Sequence, residues 1–314
     1  MTDLRALLEK IPVPFTGDLA CGEPMSRHTT FQVGGPADLW VRPRGEGFPE
    51  FAVALLGTAR SRGVPVFILG GGANLVIADR GIRGIVLDTS GWTGWNLGEG
   101  AGGSRYIRVR SGTAVDGAAE AAAAAGLSGL EFLAGMPGSA GGAVWMNARC
   151  YERSVSDLLM ETRILDESLK SRTLPFEAAD FGYKKSPFQN REVLILSAQF
   201  SLKPRLPEEI YREMADHRRD REEKGHYRFP SAGSAFKNNR AFGRPAGKII
   251  DSLGLRGFTL GGAAVAPFHG NIIINTGTAT AADIRALTEE LIRRVKAALG
   301  ISLEPEILFA GDWE

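Results

Sequence analysis

A chain of 314 residues, 44% apolar and 23% charged, is longer than one hydrophobic core usually serves and too apolar for disorder, so several packed domains are expected. Thirty-seven Lys and Arg against 36 Asp and Glu leave no charge excess to recruit nucleic acid or a membrane surface. Cys21 and Cys150 are too few for a disulfide framework or a cysteine metal site, and His28, His217, His226 and His269 are too dispersed for zinc.

The opening Met1-Thr2-Asp3-Leu4-Arg5 places acid and base ahead of any apolar run, unlike a secretory leader, and no stretch reaches the roughly 18 apolar residues of a membrane span. A cytoplasmic location is therefore expected. Leu4 to Lys10 reads as a short helix followed by a proline-rich lead. A strand over Leu39 to Val41 precedes a helix over Phe48 to Arg62, stopped at Gly63. Strands follow at Val64 to Leu69, Ile85 to Leu87 and Tyr106 to Arg110, then an alanine-rich helix over Ala114 to Ala125, ended by Gly126. Leu133 to Met146 contains four glycines and a proline and reads as too broken for a regular element. Leu158 to Leu165 and Glu192 to Leu202 read as strands. Pro207 to Lys224 carries seven acids and five bases, the pattern of an exposed helix opening a second domain, with the boundary at Lys203 to Pro207. Beyond it come helices at Ala246 to Leu253 and Ala281 to Leu299, strands near Ala263 to Ala266 and Ile272 to Asn275, and a last strand at Glu306 to Phe309. This mixture is α+β, without the regular beat of a doubly wound sheet.

Gly98-Glu99-Gly100-Ala101-Gly102-Gly103 fits G-x-G-x-x-G, but no expected strand leads into it and a strand follows, so it reads as a hairpin or surface loop. Gly70-Gly71-Gly72-Ala73-Asn74 sits between apolar runs, where successive N–H groups form either a phosphate nest or a tight turn, and Asn74 tolerates unusual dihedrals. Gly135-Met136-Pro137-Gly138-Ser139-Ala140-Gly141-Gly142-Ala143 offers clearance for a flat ligand or a pyrophosphate, or a crowded junction. Pro230 to Asn239 concentrates donors around Ser234, which lacks an activating base and suits proton donation better than nucleophilic attack. Lys184 and Lys185 precede Ser186 and serve an oxyanion, a phosphate or water equally well.

Taken in order, these loops resemble the UDP-N-acetylenolpyruvoylglucosamine reductase (MurB) family, within the larger group of FAD-linked oxidases and reductases. The resemblance begins at Thr29-Thr30-Phe31-Gln32-Val33-Gly34-Gly35 and runs through both glycine loops, Met146-Asn147-Ala148, Pro230 to Asn238 and Ala246-Gly247-Lys248-Ile249-Ile250. Asn275-Thr276-Gly277, Ala281-Ala282-Asp283-Ile284 and Leu303-Glu304-Pro305-Glu306 complete it. It implies an N-terminal arm over residues 1–20, a two-part FAD-binding domain over 21–203 (about 21–88 and 89–203), and a smaller α+β substrate-binding domain over 204–314.

The resemblance implies noncovalent FAD held by Gly70, Gly71, Gly72, Ala73, Asn74, Leu75, Gly135, Pro137, Gly138, Ser139, Gly141, Gly142 and Ala143. NADPH would reduce the flavin, hydride would pass to the enolpyruvyl β-carbon of a UDP-sugar, and Ser234 would donate a proton at the α-carbon. Glu306, rather than Glu304, would steady the developing charge. Lys184 would bind the carboxylate, with Tyr183, Ser234, Lys237, Asn238, His269 and Asn271 also on the substrate. No metal is expected, and a monomer is slightly favoured over an oligomer. Four places depart from the family pattern: Ala73 replaces serine, Lys184 replaces arginine and so loses a two-pronged grip, Arg149-Cys150 replaces Gly-Ala, and Ala266-Pro267-Phe268 replaces a more polar run. Lys185 would serve if the backbone shifted slightly. The interval from Lys184 to Ser234 has no room for the tyrosine-bearing insertion of one branch, so the chain resembles the shorter branch. Another FAD-linked oxidase would share the first domain without needing Ser234 and Glu306, and a non-catalytic flavin- or nucleotide-binding relative would keep the loops without turnover.

Overall fold

Hydrophobic periodicity and glycine punctuation set most element boundaries in the computed structural model, which describes residues 4–314. The first three residues of the expected arm lie outside the described residues. In chain order come α1 (Leu4–Leu8), β1 (Gly17–Pro24), β2 (Pro36–Pro43), α2 (Phe48–Ser61), β3 (Val66–Leu69), β4 (Leu75–Ile77), β5 (Ile82–Asp88), β6 (Trp95–Glu99) and β7 (Arg105–Arg110). Next are α3 (Val115–Ala124), β8 (Leu127–Ser128), α4 (Ala140–Trp145), β9 (Arg149–Cys150), β10 (Arg153–Ser154), β11 (Leu159–Leu165), β12 (Ser171–Pro175), β13 (Leu194–Pro204) and α5 (Pro207–Glu223). The chain ends with α6 (Ala246–Ser252), β14 (Thr259–Leu260), β15 (Ala263–Val265), β16 (Ile273–Asn275), α7 (Ala281–Leu299) and β17 (Leu308–Ala310).

The described chain divides into two compact units. The first holds the chain up to Cys21, Leu39–Gly71 and Gly84–Arg219; the second holds Gly22–Asp38, Gly72–Arg83 and Asp220–Glu314. The division falls inside α5, not in the proline-bearing segment Lys203 to Pro207. The reason is packing: Ile210 and Met214 on α5 are buried in a core of the first unit, so most of this charged helix closes that unit instead of opening the next.

Two sheets build the first unit. One has the order β1-β2-β5-β3, and the other runs β12-β11-β13-β7-β6 with β8 beside β13. The first sheet packs on α1 and α2 through Leu7, Leu39, Val41, Phe48, Phe51, Leu55, Ile85 and Leu87. Ile107 and Val109 of the second face α3 and α4. Strand β13 serves both cores because its side chains alternate between its two faces, and a register slip changes which residues face which core. Arg163 pairs with Ser197 while Ile164 pairs with Ile195, leaving Leu196 as the extra residue of a bulge. Ile195, Ala198, Phe200 and Leu202 consequently lie in one core and Leu194 and Leu196 in the other. The bulge carbonyl of Leu196 accepts the Trp92 indole N–H at 2.9 Å and the Ser111 N–H at 2.9 Å, so the irregularity leaves no buried acceptor unpaired.

Two expectations change here. Part of the glycine-rich segment Leu133 to Met146 is helical: Ser139 caps α4 with its hydroxyl, and buried Ala140, Ala143 and Val144 supply the packing that its glycines cannot. A strand does lead into Gly98 to Gly103, but β6 and β7 pair antiparallel across it, so the segment is a hairpin connection and not a dinucleotide turn. Cys21 and Cys150 are not bridged.

The second unit contains the antiparallel sheet β14-β15-β16 and the parallel pair β17-β4. Helix α7 has a reciprocal cap between Thr280 and Asp283 and ends at Gly300 with φ 69°. Its buried Ala281, Ile284, Leu287, Leu291 and Val295 follow helical spacing and pack with Ile249, Ile250 and Val265.

Candidate active site

Gly70 and Gly71 close the first unit's share of the first glycine loop, while Gly72, Ala73, Asn74 and Leu75 fall in the second unit. A Cβ on Gly71 would lie 2.6 Å from Gly138 Cα and 2.8 Å from Ser139 N, and one on Gly70 would lie 2.7 Å from Ser139 Oγ. The first loop and the Gly135 to Ala143 loop therefore touch backbone to backbone. Ser139, 3% exposed, accepts from Gly71 N–H at 3.2 Å and Gly142 N–H at 3.3 Å. It both caps α4 and staples the loops together. A Cβ on Gly141 would meet Ser111 Cβ at 2.7 Å, which seats the second loop on the end of β7. Bare backbone is what lets these segments meet, and a side chain at 70, 71 or 141 would force them apart.

Tyr183 and Lys184 form the apex of a tight turn in the first unit. Gly182 and Lys185 exchange two backbone bonds of 3.1 Å, and Lys184 takes φ 56°. Tyr183 is exposed and Lys184 half-buried. Arg149, where the family pattern differs, pairs with Glu152 at 2.9 Å.

Ser234, Lys237, Asn238, His269, Asn271 and Glu306 all belong to the second unit. Here the segment Ser234 to Lys237 runs between two others. On one side Ser234 bridges Ile272, and on the other Phe236 bridges Pro305. Glu306 N–H donates to Ala235 O at 2.8 Å, so Ser234 and Glu306 stand on directly paired neighbouring segments although 72 positions separate them in the chain. Glu306 is 8% exposed, while Glu304 reaches outward to Lys237 Nζ at 2.6 Å. Asn74 is not in the left-handed region; Gly72 takes φ 61° instead. The Asn74 amide donates to Glu306 O at 3.0 Å, and Asn238 Oδ1 accepts from Ala246 N–H at the start of α6, at 2.9 Å.

Asn271, 2% exposed, grips Phe236 at both ends. Its Oδ1 accepts Phe236 N–H at 2.9 Å and its Nδ2 donates to Phe236 O at 2.9 Å. Substituting Asn271→Leu is expected to cost about 1–3 kcal/mol for each buried backbone group left without a partner. Urea denaturation measures this, and a loss below about 1 kcal/mol in total would remove Asn271 as the tether of the serine segment.

His269 Nδ1 accepts the Asn271 N–H at 3.1 Å, which places any proton of the neutral ring on Nε2. Burial holds His269 below the usual histidine range. Its neighbour His226, at a ring separation of 6.3 Å, is pushed down from 6.5 to about 4 by burial, reinforced by Arg221, His269 and Lys224 and opposed by Asp220. Between pH 6.5 and about 4 the unfolded imidazole binds a proton that the folded one refuses. Stability is thus present above pH 6.5 and is lost as pH falls through that window. A His226→Gln variant is expected to flatten the fall of Tm over that interval; an unchanged slope would exclude His226 as its source.

The two-sheet α+β unit with its paired glycine loops contains a domain of the FAD-binding class. Residues 49–168 match the FAD binding domain family, and residues 225–310 match the UDP-N-acetylenolpyruvoylglucosamine reductase C-terminal domain. Over its full length the chain is 38% identical to the UDP-N-acetylenolpyruvoylglucosamine reductase of Treponema denticola, all of which is covered. It is 36% identical to that of Borreliella burgdorferi, with 98% of each chain covered. The crystal structure of the Thermus caldophilus MurB reductase superposes with a TM-score of 0.73 at 32% identity, covering 96% of this chain and 100% of that one. The chain belongs to the UDP-N-acetylenolpyruvoylglucosamine reductase family.

Sequence reading missed the residues that hold these segments in place. Ser186 and Gln189 leave no local signal of their bonds to the Trp145 carbonyl, 41 and 44 positions away. Asn147 stands within the recognised Met146-Asn147-Ala148 motif, but its partner, the Gly182 carbonyl, is 35 positions distant.

Proposed function

We propose that this protein reduces UDP-N-acetylenolpyruvoylglucosamine to UDP-N-acetylmuramate, with NADPH as hydride donor and noncovalent FAD as carrier, as a cytoplasmic monomer in peptidoglycan precursor synthesis. The observation that carries the reading is the pairing of the Ser234 and Glu306 segments, in a chain of this family whose two glycine loops meet where only glycine fits. The loops Gly70 to Leu75 and Gly135 to Ala143 would hold FAD, which would supply the hydride chemistry linking NADPH to the enolpyruvyl β-carbon.

The remaining work falls to side chains. Hydride arrival at the β-carbon places negative charge on the α-carbon and its carboxylate. Lys184 supplies a positive charge for that carboxylate, and Glu306, in its protonated form, a hydrogen-bond donor held by paired backbone; both lower the barrier in proportion to the charge that develops. Ser234 gives its hydroxyl proton to the α-carbon, completing the reduction. Among the described residues no helix is long and apolar enough to cross a membrane.

Anaerobic absorbance at about 450 nm, where oxidised flavin is followed, tests the whole reading. Bleaching by NADPH and recovery on adding the enolpyruvyl nucleotide sugar is expected. Bleaching without recovery would overturn the substrate, and absence of bound flavin after reconstitution would overturn the reductase assignment.

A further inference from the structure

We propose that Asn147 is a positioning residue that fixes the Tyr183-Lys184 turn to the helix whose other end staples the glycine loops. The inference deepens the reading of Lys184 as the carboxylate-binding residue and rests on it for its catalytic consequence. All the residues concerned lie in the first unit.

The exit of α4 has carbonyls without helical partners, and the turn supplies them. Trp145 O accepts the Ser186 hydroxyl at 2.6 Å and the Gln189 side-chain amide at 3.1 Å. The same Gln189 amide donates to Lys184 O at 3.1 Å. Two residues beyond the helix, Asn147 turns into the left-handed region with φ 42°, a conformation that asparagine tolerates better than most side chains. That reversal sends its side chain, 2% exposed, into two bonds. Nδ2 donates to Gly182 O at 2.8 Å and Oδ1 accepts Ser156 N–H at 3.0 Å.

Gly182 O also receives Lys185 N–H, closing the turn. The apex is therefore held at three points: Asn147 at its entry, Gln189 at Lys184 itself, and Ser186 at its exit. This matters because Lys184 has a positive φ and a long flexible stem. Where a planar arginine would bring its own geometry to a carboxylate, a lysine depends on where its backbone is placed. Ser139, at the other end of α4, is bonded to Gly71. A helix of about 9 Å thus joins the glycine loops to the lysine turn with hydrogen bonds at both ends.

The test uses the full-length holoenzyme and two variants that each delete a donor while keeping size. Asn147→Asp retains the acceptor for Ser156 and the tolerance for positive φ but cannot donate to Gly182. Gln189→Glu loses the donations to Trp145 and Lys184, and carries the test if the first variant does not fold. Amide exchange at Gly182 and Lys185 is expected to accelerate about tenfold or more. FAD content and bleaching by NADPH should stay at wild-type levels, while recovery by the enolpyruvyl nucleotide sugar slows about 10- to 100-fold. Combining Asn147→Asp with Lys184→Ala should add little to the Lys184→Ala defect, because both act through one side chain. Unchanged exchange at the turn, or a double variant slowed by the product of the two single effects, overturns the proposal. If Lys184→Ala alone recovers at the wild-type rate, the catalytic reading of Lys184 fails, while the exchange measurement still decides whether Asn147 fixes the turn.

Discussion

A Ser234→Ala variant is expected to bleach normally with NADPH and to recover about 10²- to 10⁴-fold more slowly when the enolpyruvyl nucleotide sugar is added, the range over which a positioned proton donor contributes. The separation of the half-reactions follows from what the side chain can do. Ser234 is held by its backbone: it bridges Ile272, and the following Ala235 N–H donates to Asn271 O at 2.8 Å. Removing Oγ therefore leaves the segment in place, and stability should change by less than about 0.5 kcal/mol. Hydride uptake from NADPH needs no proton on a substrate carbon and should be indifferent to the change. Stopped-flow absorbance resolves the two steps. Recovery at the wild-type rate would exclude Ser234 as the donor, and loss of bleaching would show that the serine serves cofactor binding instead.

The Gly71→Ala variant is expected to purify with little or no flavin. Its new methyl would lie 2.6 Å from Gly138 Cα and 2.8 Å from Gly138 C and Ser139 N, all backbone atoms that no rotamer change can move. The loop Gly135 to Ala143 cannot retreat freely, because Val115 N–H holds Gly138 O at 3.1 Å and Asp116 holds Gly135 N–H at 2.7 Å. Overpacking of this kind costs about 1–3 kcal/mol, and any displacement also breaks the Ser139 staple. Flavin absorbance per protein and titration with FAD measure the loss, with circular dichroism as the check on folding. Gly117→Ala is the control in the same unit: an added Cβ there meets no atom within 4 Å. Lying inside α3, it should raise stability by about 0.5–1 kcal/mol without altering flavin content. Full flavin occupancy in Gly71→Ala would mean that the contact between the loops is dispensable for the cofactor.

The sequence by itself determined the elements whose signals are local. Helix α7 was legible to the residue, Ala281 to Leu299, because its apolar spacing and the glycine after its last turn lie within the helix and its ends. The order of the glycine loops, Ser234 and Glu306 was legible through resemblance, because chemistry fixes residue types at those places more tightly than packing does elsewhere. The tertiary structure decided the rest. Helix α4 reads as glycine-broken loop until Ser139, Ala143 and Val144 find their partners. The slip at Leu196 reverses which side chains of β13 face which core, and nothing in that strand announces it. Neither the contact of Gly71 with Gly138 nor the pairing of Ala235 with Glu306 has a local signature. Such bonds join distant residues, and their energies arise only when the chain has brought both partners out of water. The charged α5 shows the same rule from the other side: its composition predicts exposure, and two buried residues, Ile210 and Met214, decide which unit it joins.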